Sequence, residues 1–544
     1  MDHGHLDTAH SVVILLTQVL CSLTMLRRIA ALGATIAVGS AVVSQHHSSR
    51  RLQELKQLGL HTKIDSFLAT RSSSDDRPSR CAIVVGGGVA GVCTAYELAK
   101  RGFSVVVLEK SKSGPGTECS AVSAGGAQRM NVPFDRDMWH SVIFSFVKPH
   151  SNFSLKWRAL IDPHFWRWGL LFTKTTLFES QTTGERRADC MLTFTNWAID
   201  HLEQFLEAHP DFQQATGHSR SGAVKLLTSK VAFERASSDG RWGYGAPDME
   251  PTEVLDHASA RSLMPWLGND VSLFGALVQT KAARANSEPF TRMLAEKCQA
   301  ELDVLIQSGI SVEGFETTEG NEDGYTEIVA ILTDQGRIPV SQDTSVVIAA
   351  GSWTPLLLRT LGLFAPVYPL KGYSGVIPMR TLSQESAKSV PDRIVAAGHV
   401  YWSPLSPELR FAGIGELNGW DTTPDAKIAA DLKERAAHVI PGLRQEISDA
   451  RVRCGLRPFT SDGAVLLGHV EDVRNLYVNV GPGFNGWKLG LGTGAFLAAL
   501  VDSHASPRQP TDTKSKHASF SGDWGPMSPT NRIVRAPLFS FLCG

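Results

Sequence analysis

The sequence predicts an α/β protein that contains a doubly wound parallel sheet, discontinuous in sequence, and an inserted mixed α+β domain. Three observations lead to this prediction. A strand, a glycine-rich turn, a helix and a second strand fit between Cys81 and Glu109, a further buried strand fits Ser345–Ser352, and a second glycine-rich turn leads into a small-residue helix near Leu500. Because these pieces are far apart in the chain, the residues between them are expected to form the inserted domain.

The first glycine-rich turn has the pattern of a dinucleotide-binding site. Small and β-branched residues in Cys81–Val85 predict a buried strand, which ends at Gly86. In Gly-x-Gly-x-x-Gly, Gly86 allows the sharp turn, Gly88 lets a pyrophosphate approach the backbone, and Gly91 lets the next helix press against the strand. The helix N-terminus presents N–H groups to the phosphates. We therefore expect a Rossmann-like site containing Gly86, Gly88, Val89, Ala90 and Gly91.

A carboxylate stands at the end of the second predicted strand. Ser104 to Leu108 forms that strand, and Glu109 follows it. A carboxylate at this position suits the two hydroxyls of an adenosine ribose and repels a 2′-phosphate, so an NADP site is disfavoured. The motif alone does not separate FAD from NAD, and a purely structural glycine-rich turn is the alternative.

Size and composition exclude several classes of protein. The 544 residues are enough for two or three domains, and 42% hydrophobic residues are ordinary for a globular chain. The balance of 53 Lys plus Arg against 54 Asp plus Glu leaves no net field that would attract nucleic acid. The 8 cysteines contain no C-x-x-C pair, so neither a metal site nor a disulfide framework is predicted.

Residues 1–80 differ in composition from the rest of the chain and are predicted to form a targeting or anchor segment followed by a linker. Two apolar runs within residues 11–43 are each shorter than the roughly 18 to 20 residues of a membrane-spanning helix. From Met25 onward the chain carries Arg and Ser but no acid until Glu54, which is typical of a mitochondrial presequence. A mitochondrial location is favoured, particularly if Met25 is the initiator. A membrane anchor through residues 11–43 and a disordered or mis-annotated start are the alternatives.

Three further segments carry a resemblance to a known family. A polar, small-residue loop covers residues 110–130, Tyr368–Ser374 reads Tyr-Pro-Leu-Lys-Gly-Tyr-Ser, and Gly455–Trp487 contains Gly-Leu-Arg-Pro and later Gly-Pro-Gly-Phe-Asn-Gly-Trp. With the first glycine motif, these segments resemble the FAD-dependent D-amino-acid oxidase superfamily, and most closely its bacterial D-amino-acid dehydrogenase branch, over roughly residues 81–503. Where many relatives have Gly-His-Gly, this chain has Gly-Pro-Gly at 481–483.

The resemblance implies FAD as the cofactor and a division of the chain into domains. The predicted FAD-binding domain comprises residues 81–135, 271–355 and 451–505, the substrate domain comprises 136–270 and 356–450, and residues 506–544 form a tail. The further residues that the resemblance and the motifs assign to FAD are Glu109, Lys110, Ser120, Ser123, Ala124, Gly125, Gly126, Ala350, Gly351, Gly483, Phe484, Asn485, Gly486 and Trp487.

Arg457 and Tyr373 are the candidates for contact with substrate. A guanidinium grips a carboxylate through two parallel hydrogen bonds, which would orient an amino acid toward the flavin. A tyrosine beside the flavin would bond the substrate while its ring excludes water. In the alternative interpretations, Arg457 bonds backbone carbonyls and Tyr373 packs within the sheet. Glu416, in the family's glycine-rich strand, is expected to be structural.

The resemblance implies oxidation of the carbon–nitrogen bond of a small amine, above all a D-amino acid, to an imine that hydrolyses to a 2-oxo acid and ammonia. The electron acceptor would be dioxygen or a quinone, and the N-terminal segment makes membrane association an open alternative. A sarcosine- or glycine-type secondary-amine oxidase is the alternative within enzymes. A flavin-bearing assembly factor or binding protein with little turnover is the alternative from another class.

Overall fold

The computed structural model describes residues 50–72, 80–131, 142, 152–239, 244–245, 252–319, 325–398, 400–505 and 524–535. The apolar runs of residues 11–43 lie outside the described residues. The described helices include α1 Thr62–Ser72, α2 Val89–Lys100, α3 Trp157–Leu160, α4 Pro163–Thr173, α5 Gln181–Ala208, α6 Pro210–Thr216, α7 Lys230–Asp239, α8 His257–Leu263, α9 Ser287–Glu301, α10 Thr354–Thr360, α11 Gln384–Ala387, α12 Ala426–Val439, α13 Arg444–Asp449 and α14 Gly486–Ala505. The described strands are β1 Cys81–Val85, β2 Ser104–Glu109, β3 Gly126–Ala127, β4 Met130–Asn131, β5 Phe153–Leu155, β6 Ala223–Leu227, β7 Tyr244–Gly245, β8 Thr252–Asp256, β9 Gly275–Gln279, β10 Ala283–Arg284, β11 Leu305–Ser308, β12 Val312–Glu319, β13 Thr326–Thr333, β14 Gly336–Pro339, β15 Thr344–Ile348, β16 Leu363–Phe364, β17 Val367–Pro378, β18 Ile394–Ala397, β19 Val400–Leu405, β20 Glu408–Leu417, β21 Arg451–Thr460, β22 Leu466–His469, β23 Leu476–Val480 and β24 Val534–Arg535.

A six-stranded sheet in the order β11-β2-β1-β15-β23-β22 forms the centre of the dinucleotide-binding domain. Its strands are parallel except β22, which runs antiparallel to β23. Every residue of β1 is buried, as expected for a strand covered on both faces. Helices α2, α9 and α14 pack over one face, and the three-stranded sheet β12-β13-β14 covers the other. The predicted fold class, with a Rossmann-like domain assembled from distant pieces of chain, is confirmed.

A nine-stranded mixed sheet forms the second domain. Its order is β21-β17-β20-β19-β18-β6-β9-β8, with β5 beside β20. Helices α8 and α12 pack on one face through a core that contains Trp402, Phe411 and Leu432. Residues of β17, β19 and β20 on the other face border a cavity that the two domains share.

Two strands belong to a different domain from the one predicted. The prediction assigns residues 271–355 and 451–505 wholly to the FAD-binding domain. Strand β9 instead pairs with β6 and β8 in the nine-stranded sheet, and β21 pairs with β17 along its whole length. These two boundaries are therefore wrong by one strand each. A local pattern indicates a strand but not its partner, because pairing depends on residues far away in the chain.

The end of the predicted targeting and linker segment is part of the folded unit. Leu55 and Ile64 are buried, at 1% and 0% exposure, and α1 packs beside β14 and β2. The assignment of all residues up to 80 to a targeting segment and linker is therefore wrong for residues 50–72. Within the described part of the chain, no helix is both long and apolar enough to cross a membrane.

The C-terminal segment 524–535 also docks, although the prediction makes residues 506–544 a tail. Strand β24 pairs with β16, and Met527 is fully buried. The Arg532 guanidinium donates to Asp462 Oδ1 at 2.6 Å and to the carbonyl oxygens of residues 464, 465 and 526 at 2.8 to 3.0 Å. Burial lowers the pKa of this guanidinium, and the Asp462 carboxylate opposes that effect. Arg532 therefore fastens the segment to the FAD-binding domain.

We expect Arg532→Ala to lower the free energy of unfolding by about 3 kcal/mol, because it leaves the largely buried Asp462 carboxylate without the cation that it pairs with. Arg535→Ala is the matched control. Its side chain is 66% exposed and pairs with Asp472 at the surface, so its loss should cost less than about 1 kcal/mol. Chemical denaturation measures the free energy of unfolding of both variants. Equal values for Arg532→Ala and Arg535→Ala would contradict a docked segment.

Candidate functional site

One cavity of about 2250 Å³ lies between the two domains and is lined by both. The predicted cofactor residues that line it are Gly86, Gly88, Val89, Ala90, Glu109, Lys110, Ser120, Ser123, Ala124, Gly125, Gly126, Ala350, Gly351, Gly483, Phe484, Asn485, Gly486 and Trp487. Gly91 does not line the cavity and lies against the backbone of Gly86. The two glycine-rich turns therefore converge on a single cavity.

The three motif glycines of the first turn have different roles. Gly86 has φ +111°, and a Cβ there would lie 2.6 Å from the carbonyl oxygen of Ala349. A Cβ at Gly91 would lie 1.9 Å from the carbonyl oxygen of Gly86, so these two positions serve close packing. Gly88 has an ordinary φ of −69°, and its Cβ would meet only Ser120 Oγ, at 3.6 Å. Packing of the fold therefore does not require glycine at position 88, and the absence of a side chain there leaves room in the cavity.

Glu109 lies beside this turn, and its carboxylate oxygens can accept further hydrogen bonds. The Gly87 N–H donates to Oε2 and the Ser111 N–H donates to Oε1, both at 2.6 Å. Burial raises the pKa of the Glu109 carboxyl, and the two N–H donors oppose that rise. Each carboxylate oxygen accepts more than one hydrogen bond, so both can still accept from ribose hydroxyls.

The loop that follows β2 is fixed from both domains. Ser120 Oγ accepts a hydrogen bond from the Val89 N–H at 3.1 Å. On the other side, the fully buried Arg410 of β20 donates to the carbonyl oxygens of Ala121 at 3.1 Å and Ser123 at 2.7 Å. Hydrogen bonds from a charged guanidinium are among the stronger ones, so Arg410 sets the position of this part of the cavity wall.

The second glycine-rich turn leads directly into helix α14. Gly481 and Gly483 have φ of +86° and +55°, a region that favours glycine. Lys488, in the first turn of α14, is 5% exposed and donates to the carbonyl oxygen of Gln128 at 2.9 Å. The helix N-terminus and the buried ammonium together give this end of the cavity a positive potential.

Arg457 lies on β21 and faces the cavity over Gly372 of β17. A Cβ at Gly372 would lie 2.1 to 2.5 Å from the guanidinium atoms, so this arrangement requires glycine. The guanidinium carbon lies 5.3 Å from the centre of the Phe484 ring. Within the described part of the chain, the guanidinium has no hydrogen bond or ion pair, in contrast to the alternative in which it bonds carbonyls. Burial lowers the pKa of Arg457, but arginine stays charged, and a carboxylate would complement it.

Tyr373 does not reach the cavity. It is fully buried on the opposite face of the sheet, where its hydroxyl donates to Glu416 Oε2 and accepts from the Asp425 N–H at 3.0 Å. The Lys371 ammonium lies 3.2 Å from the same Glu416 oxygen. The prediction that Tyr373 contacts flavin or substrate is therefore wrong. Adjacent strand residues face opposite sides, and Gly372 takes the cavity side. Glu416 is structural, as expected.

Tyr401 is the cavity tyrosine that the sequence interpretation missed. It lies on β19, and its hydroxyl donates to Gln128 Oε1 at 3.1 Å. Gln128 Nε2 in turn donates to Gln279 Oε1 at 3.0 Å, so Tyr401, Gln128 and Gln279 are linked by consecutive hydrogen bonds. Strand alternation puts Tyr401 on the face opposite the fully buried Trp402. The sequence alone did not indicate which of those faces meets the cavity.

The residues of helix α4 contribute to both core and cavity. Phe165 and Trp168 pack in a core cluster. His164 and Arg167 of the same helix line the cavity. The His164 Nε2 lies 2.8 Å from the carbonyl oxygen of Val367, and burial lowers its pKa to about 3, so this imidazole is neutral. The described residues contain no cluster of His, Cys, Asp and Glu that could hold a metal ion.

Comparison with known proteins gives matches over most of the chain. The family model DAO, described as FAD dependent oxidoreductase, matches residues 82–500. A D-amino acid dehydrogenase from Granulibacter bethesdensis is 29% identical over 432 residues, which covers 77% of this chain and 95% of that protein.

Two solved structures share the fold. Glycine oxidase from Geobacillus kaustophilus has a TM-score of 0.55 at 21% identity and covers 83% of this chain and 98% of its own. L-amino acid deaminase from Proteus vulgaris has a TM-score of 0.55 at 15% identity and covers 86% and 99%. Likeness at these identities shows the fold alone.

We expect Gly88→Asp to leave the fold intact and to weaken dinucleotide binding strongly. Aspartate is a good N-cap residue at the start of α2, but it adds a negative charge beside the phosphates. Repulsion at contact distance should weaken FAD binding on the order of 100-fold or more. Gly88→Ser is the matched control, because serine also caps the helix but carries no charge. Flavin absorbance of the purified variants measures occupancy, and full occupancy in Gly88→Asp would contradict a phosphate site here.

Proposed function

Because this chain belongs to the DAO family of FAD-dependent oxidoreductases, as the resemblance in its sequence predicted, we propose that it oxidises the carbon–nitrogen bond of a D-amino acid. Family membership confirms the predicted cofactor and the predicted class of enzyme. The relatives named D-amino acid dehydrogenase support the substrate. The observation that carries the proposal is Arg457, a cation that faces the cavity and has no hydrogen bond or ion pair among the described residues.

The cavity residues fit FAD. Gly88 leaves room for phosphates at the N-terminus of α2, and Glu109 keeps acceptor positions for ribose hydroxyls. The positive potential at the start of α14 suits a flavin ring, which becomes anionic on reduction. When bound, FAD supplies the two-electron acceptor that the protein side chains lack.

Arg457 would hold the substrate by its carboxylate. A bidentate guanidinium–carboxylate pair fixes both position and direction, so the α-carbon is presented in one orientation. In the overall reaction the α-carbon and the amine nitrogen lose two electrons and two protons, which gives an imine. Water then hydrolyses the imine to a 2-oxo acid and ammonia. Oxidation of a neutral amine in this way depends on orientation more than on a protein base.

An anaerobic amine panel tests the proposal. The purified protein, with its flavin oxidised, is mixed with D-amino acids, their L-enantiomers, glycine and sarcosine. Since the fold is shared with proteins named glycine oxidase and L-amino acid deaminase, the comparison of enantiomers is essential. We expect D-amino acids to bleach the flavin band fastest. Faster bleaching by sarcosine or glycine would contradict a D-amino acid as the substrate and favour a secondary-amine oxidase. No bleaching by any amine would favour a binding protein with little turnover.

Arg457→Met should retain FAD but lower kcat/KM for D-amino acids on the order of 100-fold or more, because two charged hydrogen bonds to the carboxylate are lost. The kcat/KM of Arg457→Met for amines that lack a carboxylate should fall little. Tyr373→Phe is the control, because it removes a hydroxyl from the opposite face of the sheet. It should lower thermal stability and leave kcat/KM unchanged. Equal kinetic losses in both variants would contradict the role of Arg457.

We propose a mitochondrial location for this enzyme, supported by the composition of residues 25–53, which contain Arg and Ser but no Asp or Glu. A fluorescent reporter is fused to the C-terminus of the full chain and of a chain that starts at Met25, and each is followed in cells by microscopy and fractionation. Both fusions should enter the mitochondrial matrix fraction. Retention in the membrane pellet after alkaline extraction would favour an anchor through residues 11–43 and point to a quinone acceptor over dioxygen. Cytosolic signal would contradict both.

A further inference from the structure

Residues 50–72 precede the first Rossmann strand and form an element that the family match, which begins at residue 82, does not include. Two of its residues, Arg51 and Leu52, line the cavity. We infer that this N-terminal element covers the adenosine end of the FAD site and contributes directly to nucleotide affinity. The inference builds on FAD as the cofactor and adds a binding surface outside the family domain.

The adenosine end of the cavity is identified by Glu109. The chain that follows β11 returns directly to this residue, since the Ile310 N–H donates to the Glu109 carbonyl oxygen at 3.0 Å. Residues Ile310 to Glu313 continue along the cavity wall from that point. The acidic residue at the end of the second strand is the one that meets the adenosine ribose in dinucleotide sites. Whatever packs on residues 310–313 therefore lies at the adenosine end.

Arg51 and Leu52 pack on that wall. The Arg51 guanidinium donates to both carboxylate oxygens of Glu313, at 2.9 and 3.4 Å. A Cβ at Gly314 would lie 2.3 Å from Leu52 Cδ2, so the leucine rests directly on the backbone of β12. Glycine at this position lets Leu52 approach, and Leu52 and Ile310 both present apolar side chains to the cavity.

The element is anchored independently of these contacts. Ile64 of α1 is fully buried in the core beneath the six-stranded sheet. The turn before α1 is fixed to Arg337, whose N–H donates to the Gly59 carbonyl oxygen at 2.9 Å and whose own carbonyl oxygen accepts from the His61 N–H at 3.1 Å. Anchors at two places hold Leu52 over the cavity, so the wall is formed before the nucleotide arrives and less entropy is lost on binding.

The test uses the full chain with single substitutions. Leu52→Ser removes the apolar contact from the cavity wall. Leu58→Ser is the matched control, because Leu58 belongs to the same element, is 39% exposed and does not line the cavity. Ile64→Ala is a second control that loosens the anchor without changing the cavity lining. Apoprotein of each variant is titrated with FAD and, separately, with ADP, which carries the adenosine and phosphates but no flavin. Thermal unfolding of the apoproteins is recorded in parallel.

We expect Leu52→Ser to weaken FAD and ADP binding by the same factor, about tenfold, as for loss of a well-packed leucine contact. Leu58→Ser should change neither affinity. Ile64→Ala should lower the unfolding temperature, and it should weaken FAD and ADP binding less than Leu52→Ser does. Unchanged binding in Leu52→Ser, or equal losses of affinity in both leucine variants, would contradict the inference that this element covers the adenosine end. Loss of FAD affinity alone would place Leu52 at the flavin end and also overturn it. If the unsubstituted apoprotein bound no FAD, the failure would lie in the cofactor assignment instead.

Discussion

The close packing of helix α14 against helix α2 holds the two halves of the cofactor site together. A Cβ at Gly494 would lie 2.7 Å from the backbone carbonyl of Cys93, and a Cβ at Gly490 would lie 2.9 Å from a methyl group of Val89. The two glycines are one helical turn apart, so they form a groove into which α2 fits. The phosphate-binding turn starts α2 and the second glycine-rich turn starts α14, so this contact fixes the distance between the two turns.

A buried hydrogen-bond junction reinforces the same contact. The Asn479 side-chain amide of β23 donates to the hydroxyls of Thr94 on α2 and Thr493 on α14, each at 3.1 Å. The three side chains are buried at 2% exposure or less, where an unpaired polar atom is costly. Sliding one helix along the other would break at least one of these bonds. The junction therefore selects one register, and through that register it specifies one geometry for the cavity.

The parts of the site that sequence predicted are those whose residues act locally. The roles of Gly86, Gly88 and Gly91 follow from the backbone of a single turn, and the structure assigns each glycine the geometry expected of it. The docking of residues 50–72 and 524–535 was not predictable in the same way. Their contacts are with strands far along the chain, and a short amphipathic or polar segment has the same composition whether or not it docks.

The Lys-Gly-Tyr motif of β17 shows how a correct match leads to a wrong role. Alternation sends Gly372 toward the cavity, while Lys371 and Tyr373 meet Glu416 on the other side. A partly buried guanidinium without a hydrogen bond or ion pair costs free energy, and other contacts in the neighbouring strand must offset that cost. The buried cluster around Glu416 is such a contact, directly behind the glycine over which Arg457 lies. The motif therefore serves the substrate site through its glycine, and its two polar side chains stabilise the sheet from the opposite face.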